Sequence, residues 1–219
     1  MRRIPLPDGS SVSADIAMPS GHRIGEGACA ILGHGAGSNM SNPFLRAVQR
    51  GLADRGVAAV TFNFPYSEQK RRVPDRMPAL GACYRAVVDA VRAELRPSRL
   101  VLGGKSMGGR VASHLAAEQV ACDGLVFLGY PLHPAGKPEQ LRTAHLGRIR
   151  APMLFFAGTR DALCDLDLLR QAIATLAVPI TLHLIEGGDH SFKVPKSIGR
   201  AAPVVDEMID VCARWIEQL

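Results

Sequence analysis

The chain has 219 residues, of which 47% are hydrophobic and 21% charged, and its 26 basic and 20 acidic side chains leave a formal net charge of +6. This apolar fraction excludes a disordered chain, and no apolar run approaches the ~18 residues that a membrane-spanning helix requires. At this length we expect one domain over residues 1–219, with enough chain to bury a sizeable core.

The N-terminus and the cysteines predict a cytoplasmic protein. Pro5, Pro7 and Asp8 interrupt the apolar stretch that a secretory signal would need. The five cysteines are odd in number, scattered and never in a C-x-x-C spacing, which favours free thiols in a reducing compartment. The positive charge permits a polyanionic partner, but only 5% of the residues are aromatic, too few for a surface that stacks single-stranded bases. We therefore expect neither nucleic acid nor membrane as a partner.

The predicted elements alternate along the chain. Residues 2–6 and 11–18 alternate in polarity around Pro7-Asp8-Gly9, which predicts an antiparallel hairpin. Short apolar runs predict strands buried on both faces at residues 28–32, 57–62, 100–102, 125–128, 153–156 and 180–185. Amphipathic stretches predict helices at residues 43–54, 79–95, 109–119, 165–176 and 203–218. This order predicts an α/β fold of three layers, with a mostly parallel sheet and the antiparallel hairpin at its N-terminal edge.

The most informative stretch is Gly104-Lys105-Ser106-Met107-Gly108, which matches G-x-S-x-G. A predicted strand precedes it and a predicted helix follows, so the serine is expected at a sharp, strained turn with its hydroxyl at the carboxyl edge of the sheet. A phosphate-binding loop is rejected because it would need glycine where the chain has Arg99. The remaining alternative is a tight turn with an incidental serine, which the flanking strand and helix disfavour.

A serine nucleophile needs a base and an acid that orients the base. Asp161 follows the predicted strand 153–156, and His190 follows the predicted strand 180–185, so both are expected at the same sheet edge as Ser106. The order Ser, Asp, His is the one expected in this architecture. His183 lies inside a predicted strand and His114 two turns into the helix after Ser106, so neither is expected to reach the hydroxyl.

Backbone N–H groups that face the serine would stabilise an oxyanion. The sequence Gly33-His-Gly-Ala-Gly37 follows a predicted strand, which places this loop at the same edge. We assign the N–H groups of Ala36 and Met107 as the two donors, each worth about 3–4 kcal/mol of transition-state stabilisation. A dinucleotide-binding G-x-G-x-x-G would need glycine at Ser38 and is excluded. His34 is interpreted as a residue that shapes this loop.

Together these segments resemble the α/β-hydrolase superfamily over nearly the whole chain. More narrowly, Phe62-Asn-Phe-Pro-Tyr66, Gly104-Lys-Ser-Met-Gly-Gly109 and Gly129-Tyr-Pro-Leu-His-Pro134 are similar to the small lidless branch near dienelactone hydrolases. That branch includes testis-expressed hydrolase-like proteins and a subunit of a histone-acetyltransferase complex. The resemblance implies the fold and the triad. Dienelactone hydrolases use a cysteine nucleophile where this chain has Ser106, so their activity is not carried over.

The connections suggest an open cleft. Residues 130–150 stand where many relatives insert a helical lid, and they are too few for a lid domain. We expect the cleft walls to come from residues 65–78 and 130–133. The candidate substrate-pocket residues are His34, Tyr66, Lys105, Tyr130 and His133. Lys105 is either a substrate contact or a packed structural residue, and the basic residues 70–72 either attract anionic substrates or form a solvated loop.

The leading hypothesis is a serine hydrolase that acts on a small carboxylic ester or thioester through an acyl-enzyme. Ser106 would attack, His190 would serve as base and then acid, and Asp161 would orient the imidazole. This chemistry asks for a small-molecule acyl substrate and for no metal or other cofactor. The alternative is a non-catalytic or weakly active hydrolase-fold protein that serves as a binding or scaffold subunit. A homodimer or a protein partner is left open.

Overall fold

The computed structural model describes residues 1–199 and 203–219, and within them the chain forms eight β-strands, six α-helices and two single turns of 3₁₀-helix. The strands are β1 (Arg2–Pro5), β2 (Ser11–Ala17), β3 (Ala28–Gly33), β4 (Ala58–Phe62), β5 (Arg99–Lys105), β6 (Gly124–Leu128), β7 (Met153–Gly158) and β8 (Ile180–Ile185). The α-helices are α1 (Pro43–Ala53), α2 (Pro65–Glu68), α3 (Met77–Leu95), α4 (Met107–Ala117), α5 (Leu166–Ala174) and α6 (Val204–Glu217).

All eight strands join one sheet in the order β1-β2-β4-β3-β5-β6-β7-β8. The β1–β2 and β2–β4 pairs are antiparallel, and every pair from β4 to β8 is parallel. In the register of β3 and β5, Gly33 lies opposite Gly104, and Lys105 lies opposite Leu128 of β6. The carboxyl ends of the central strands therefore meet at one edge. The predicted fold class, with its N-terminal hairpin, is confirmed.

Helices cover both faces of the sheet and give the three predicted layers. On one face α3, α4 and α5 bury residues such as Val87, Val111 and Leu169 against the sheet. On the other face α1 packs against α6. That second core contains the apolar face of α6, including Met208 and Ile216, which are almost fully buried. Amphipathic faces turned toward a shared core are the main source of stability in such helices.

Three details differ from the sequence expectations. The strand β8 is only half-buried over most of its length, because it forms an edge of the sheet and, among the described strands, pairs only with β7. The short helix α2 was not predicted, and it occupies part of the connection between β4 and α3. Helix α3 starts at Met77, earlier than expected, with Pro78 in its first turn, where a missing N–H is tolerated.

The carboxylate of Glu68 attaches the N-terminal hairpin to the rest of the sheet. It accepts hydrogen bonds from Ser13 N (3.1 Å), Ser13 Oγ (2.9 Å) and Asn63 Nδ2 (2.9 Å), and it pairs with Arg3. Desolvation by burial opposes the charge, but the hydrogen bonds from Asn63, Ser13 and Arg3 prevail and lower the pKa of Glu68 to about 2. This network, centred on one ionised group, adds to the β2–β4 pairing that joins the hairpin to the sheet.

The segment between β6 and β7 forms no lid domain, as predicted. Its helical content is one 3₁₀ turn, Leu146–Arg148, and the segment lies against α4. There His145 Nε2 lies 2.7 Å from Ser113 Oγ, and the His145 ring stacks on His114 with ring centroids 3.7 Å apart. None of the helices described for this chain is long and apolar enough to cross a membrane.

Candidate active site

Ser106 lies between β5 and α4 in a strained conformation, with φ of 51° and ψ of −112°. The chain turns sharply here because β3, β5 and α4 approach very closely. A Cβ on Gly104 would lie 2.2 Å from the carbonyl oxygen of Gly33, and a Cβ on Gly108 would lie 2.1 Å from the same oxygen. Only glycine fits at these two positions, which accounts for the G-x-S-x-G spacing in physical terms.

The structure brings Ser106, His190 and Asp161 together. Ser106 Oγ lies 2.9 Å from His190 Nε2, and His190 Nδ1 lies 2.7 Å from Asp161 Oδ2. Asp161 follows β7 and His190 follows β8, so two neighbouring strands deliver both side chains to the edge where Ser106 stands. The two contacts form a continuous hydrogen-bond relay from a buried carboxylate to the serine hydroxyl.

The carboxylate fixes the orientation of the imidazole. The side chain of Asp161 is fully buried and also accepts a hydrogen bond from Leu163 N at 2.8 Å, so both of its oxygens are engaged. With Nδ1–H of His190 donating to Asp161, the lone pair of Nε2 faces the hydroxyl of Ser106. This tautomer is the one that a general base for the serine requires.

Among residues 1–199 and 203–219, the N–H groups of Ala36 and Met107 have no hydrogen-bond acceptor. Met107 is the first residue of α4, where backbone N–H groups have no partner inside the helix. Ala36 belongs to the loop after β3 and lines the same cavity as Ser106. The assignment of these two N–H groups as oxyanion donors stays a prediction.

His34 shapes the loop that carries Ala36. Its ring is buried; Nδ1–H donates to Gly35 O at 2.8 Å, and Nε2 accepts from Phe64 N at 3.2 Å. Burial lowers the pKa of His34 to about 4, so the ring is neutral at pH 7. The interpretation of His34 as a loop-shaping residue agrees with these contacts, although it also lines the cavity.

A cavity of about 700 Å³ opens next to Ser106 and His190. One wall is the loop after β3 with the first turn of α1, the other is the loop after His190, and Lys105 lies between them. The lining residues are His34, Gly35, Ala36, Ser38, Asn42, Pro43, Phe44, Leu45, Lys105, Ser106, Leu163, His190, Ser191 and Lys193. Its volume is that of a site for a small molecule.

Three of the predicted pocket residues lie outside this cavity. Tyr66 is buried, with its hydroxyl 3.3 Å from Gly35 O, so it supports the loop from beneath. Tyr130 is buried because its ring packs against Phe127 and its hydroxyl donates to Arg142 O at 2.7 Å. His133 is buried, and its Nε2 accepts a hydrogen bond from Asp165 N at 3.1 Å.

The expected walls at residues 65–78 and 130–133 were therefore wrong, and the basic residues 70–72 also lie outside the lining. The sequence did not predict three residues that line the cavity, namely Asn42, Phe44 and Lys193. One indication was available: a helix predicted to start at residue 43 begins at the carboxyl edge of the sheet, where Ser106 lies.

Lys105 lies partly buried beside Ser106. Its Nζ donates to the carbonyl oxygen of His190 at 2.6 Å and lies 5.2 Å from the ring centroid of Phe192. Burial lowers the pKa of Lys105 to about 8, although the carboxylates of Asp161 and Asp189 act in the opposite direction. The ammonium thus ties the β5 turn to the backbone of the loop that carries His190.

A second serine–histidine contact, between Ser113 and His145, does not form a comparable site. Ser113 is fully buried inside α4 and its hydroxyl donates to Arg110 O at 2.7 Å. The partner of the His145 ring is the imidazole of His114, not a carboxylate. In the part of the chain that the structure describes, no three His, Cys, Asp or Glu side chains are grouped so that they could hold a metal ion.

Comparison with known proteins agrees with this architecture. Residues 26–217 match the family described as alpha/beta hydrolase domain, and the chain belongs to that family. Among solved structures it is similar to a dienelactone hydrolase from Anabaena variabilis, with 19% identity, a TM-score of 0.76 and coverage of 99% of this chain and 95% of that one.

Two further structures share the fold. A lidless serine hydrolase from Xanthomonas campestris has 21% identity and a TM-score of 0.75, with coverage of 99% of this chain and 93% of that one. Est1E from Butyrivibrio proteoclasticus, solved with ferulic acid bound, has 16% identity and a TM-score of 0.80, with coverage of 100% and 98%. The resemblance to the α/β-hydrolase superfamily, inferred from the sequence motifs, is confirmed.

Proposed function

We propose that the protein is a serine hydrolase that cleaves a small carboxylic ester or thioester through an acyl-enzyme. The observation that carries the proposal is the relay from Asp161 through His190 to Ser106, which ends at an open cavity. The family supports a hydrolase. Among the neighbours, a dienelactone hydrolase and an esterase solved with ferulic acid favour carboxylic esters as the substrate class.

Acylation begins when the substrate carbonyl lies in the cavity beside Ser106. His190 Nε2 takes the proton from Oγ as Oγ bonds to the carbonyl carbon, and the carbonyl electron pair moves onto oxygen. Asp161 stabilises the imidazolium that forms. The oxyanion then re-forms the carbonyl and expels the alcohol or thiol, which takes the proton from Nε2.

Deacylation repeats these steps with water. His190 takes a proton from the water as the water oxygen attacks the acyl carbon, and the second tetrahedral intermediate expels Ser106 Oγ, which recovers the proton. The product is the free carboxylic acid. In both halves the N–H groups of Ala36 and Met107 would hold the oxyanion, and loss of one such donor typically costs 10²–10³ in kcat, or about 3–4 kcal/mol.

A fluorophosphonate probe tests the nucleophile directly. The wild-type protein should be labelled at Ser106, and Ser106→Ala should abolish both labelling and turnover of p-nitrophenyl butyrate. Ser113→Ala is the matched control because it removes the other serine that contacts a histidine. Its labelling should persist, with circular dichroism used to show that both variants are folded.

The same experiment decides between catalysis and a binding role. An unlabelled wild-type protein that also leaves an ester and thioester panel intact would refute the proposed hydrolase. Labelling that survives Ser106→Ala would show that the nucleophile lies elsewhere.

A further inference from the structure

In the part of the chain that the structure describes, the ammonium of Lys105 has hydrogens without an acceptor. A lysine ammonium carries three donors, and one of them goes to the carbonyl oxygen of His190. Within residues 1–199 and 203–219, Lys105 forms no ion pair with an aspartate or glutamate and no second hydrogen bond. Lys105 also lines the cavity, and its ammonium lies 5.2 Å from the ring centroid of Phe192.

The two nearby carboxylates are already engaged. Asp161 accepts from His190 and from Leu163 N, and Asp189 accepts from the backbone N–H groups of Ser191 and Lys193 at 2.8 and 2.9 Å. Neither reaches the ammonium with a hydrogen bond. A partly buried cation without a paired anion is costly, and a bound anion would relieve that cost.

Two cationic side chains line the cavity. Besides Lys105 it is lined by the exposed Lys193, and no aspartate or glutamate is among its described lining residues. Phe44 lines the same cavity, and its ring lies 5.7 Å from that of Phe192. The site thus offers an apolar wall for a short hydrocarbon chain and a cation next to Ser106.

We propose that the natural substrate is an ester or thioester whose acyl chain ends in a carboxylate, and that Lys105 binds this carboxylate. The proposal rests on the hydrolase function proposed above and names its substrate class. Because Lys105 adjoins Ser106, the carboxylate must lie only a few carbon atoms from the reacting carbonyl. Half-esters of short dicarboxylic acids have this geometry, and Lys193 would add long-range attraction at the cavity mouth.

The test compares two esters of equal chain length, mono-p-nitrophenyl glutarate and p-nitrophenyl valerate. In the wild-type protein kcat/KM should favour the glutarate at least tenfold at pH 7. Lys105→Met should bring that ratio to one or below, whatever happens to the absolute rates, since the same ammonium also holds the His190 carbonyl. Lys105→Arg should retain part of the preference. Lys137→Met, at an exposed position that does not line the cavity, should leave the ratio unchanged.

A measurement on the wild-type protein keeps the test independent of folding in the variants. The pKa of Lys105 is about 8, and kcat/KM reports groups of the free enzyme. The preference for glutarate should therefore disappear as the pH rises above 8, while hydrolysis of the valerate continues. Added salt should reduce the preference at pH 7.

The outcomes separate the two proposals. Equal kcat/KM for both esters in the wild type, or a preference that Lys105→Met leaves intact, would overturn the substrate class and leave the hydrolase standing. Absence of turnover for both esters, together with absence of fluorophosphonate labelling at Ser106, would overturn the hydrolase and with it the substrate class.

Discussion

The backbone of α4 at Gly108 lies so close to β3 that no side chain fits between them. Gly108→Ala therefore perturbs the candidate site by forcing these two backbones apart. The new Cβ would lie 2.1 Å from Gly33 O and 2.3 Å from Gly33 C. Ordinary contact begins at 3.4 Å, so α4 and β3 must separate by about 1.3 Å. The strand cannot yield alone, because β4 and β5 hold it on both sides.

This separation would act on the proposed oxyanion site. Met107 precedes Gly108 directly, and Ala36 lies on the loop that begins after Gly33, so the two N–H donors would move apart. A misplacement of about 1 Å costs on the order of 10²-fold in rate. Overpacking of this kind lowers the free energy of unfolding by about 1–3 kcal/mol.

The assays are kcat for p-nitrophenyl butyrate and urea unfolding at pH 7. Gly81→Ala in α3 is the matched control, since its Cβ would meet only Leu115 Cδ1, at 3.7 Å. That control should gain about 0.5–1 kcal/mol in the free energy of unfolding, because alanine replaces a mid-helix glycine, and its kcat should stay within twofold. If Gly108→Ala kept wild-type kcat and stability, the reasoning from close approach would be refuted.

Three further predictions concern stability in urea unfolding. Glu68→Gln should lower the free energy of unfolding by up to about 3 kcal/mol at pH 7, since the pKa of Glu68 falls from 4.5 to about 2 on folding; the loss should shrink at pH 3, because this contribution exists above pH 4.5 and disappears toward pH 2. Burial lowers the pKa of His34 to about 4 and of His145 to about 3, so between about pH 6.5 and those values the unfolded chain binds protons that the folded chain does not. Over that range the free energy of unfolding should decrease as the pH is lowered, by up to about 1.4 kcal/mol per pH unit for each histidine; His145→Asn should flatten that slope, and an unchanged slope would contradict the assignment. Asn42→Ala should cost about 1 kcal/mol through the lost N-cap of α1, whereas Asn42→Asp should retain it, and equal stabilities of the two variants would exclude the capping role.

The positions of Ser106, Asp161 and His190 followed from the sequence because each depends on a strand end. A short apolar run fixes where the strand stops, and parallel strands bring their carboxyl ends to one edge. The glycines around Ser106 add a local backbone constraint that only one conformation satisfies. Both kinds of information are local in the sequence, so three distant residues could be placed together.

The cavity walls could not be predicted in this way, because they depend on where side chains point across the fold. Tyr66 follows β4 at the correct edge, yet its ring turns beneath the loop and its hydroxyl contacts Gly35 O. Tyr130 follows β6, yet it joins the core with Phe127. The half-buried β8 shows the same limit, since its place at the sheet edge depends on strand order, which no single strand encodes.

Lys105 shows how a position that is only a spacer in G-x-S-x-G acquires two connections here. The turn at Ser106 directs the lysine stem toward Phe192, so the ammonium meets the carbonyl of the residue that serves as the proposed base. One donor then bonds to the carbonyl oxygen of His190, and we propose that the others bind the substrate carboxylate. In a chain without a lid domain, substrate choice must come from the walls and floor of the cavity itself. A cation one residue from Ser106 would couple binding of the proposed anionic acyl chain to the placement of His190, the proposed base.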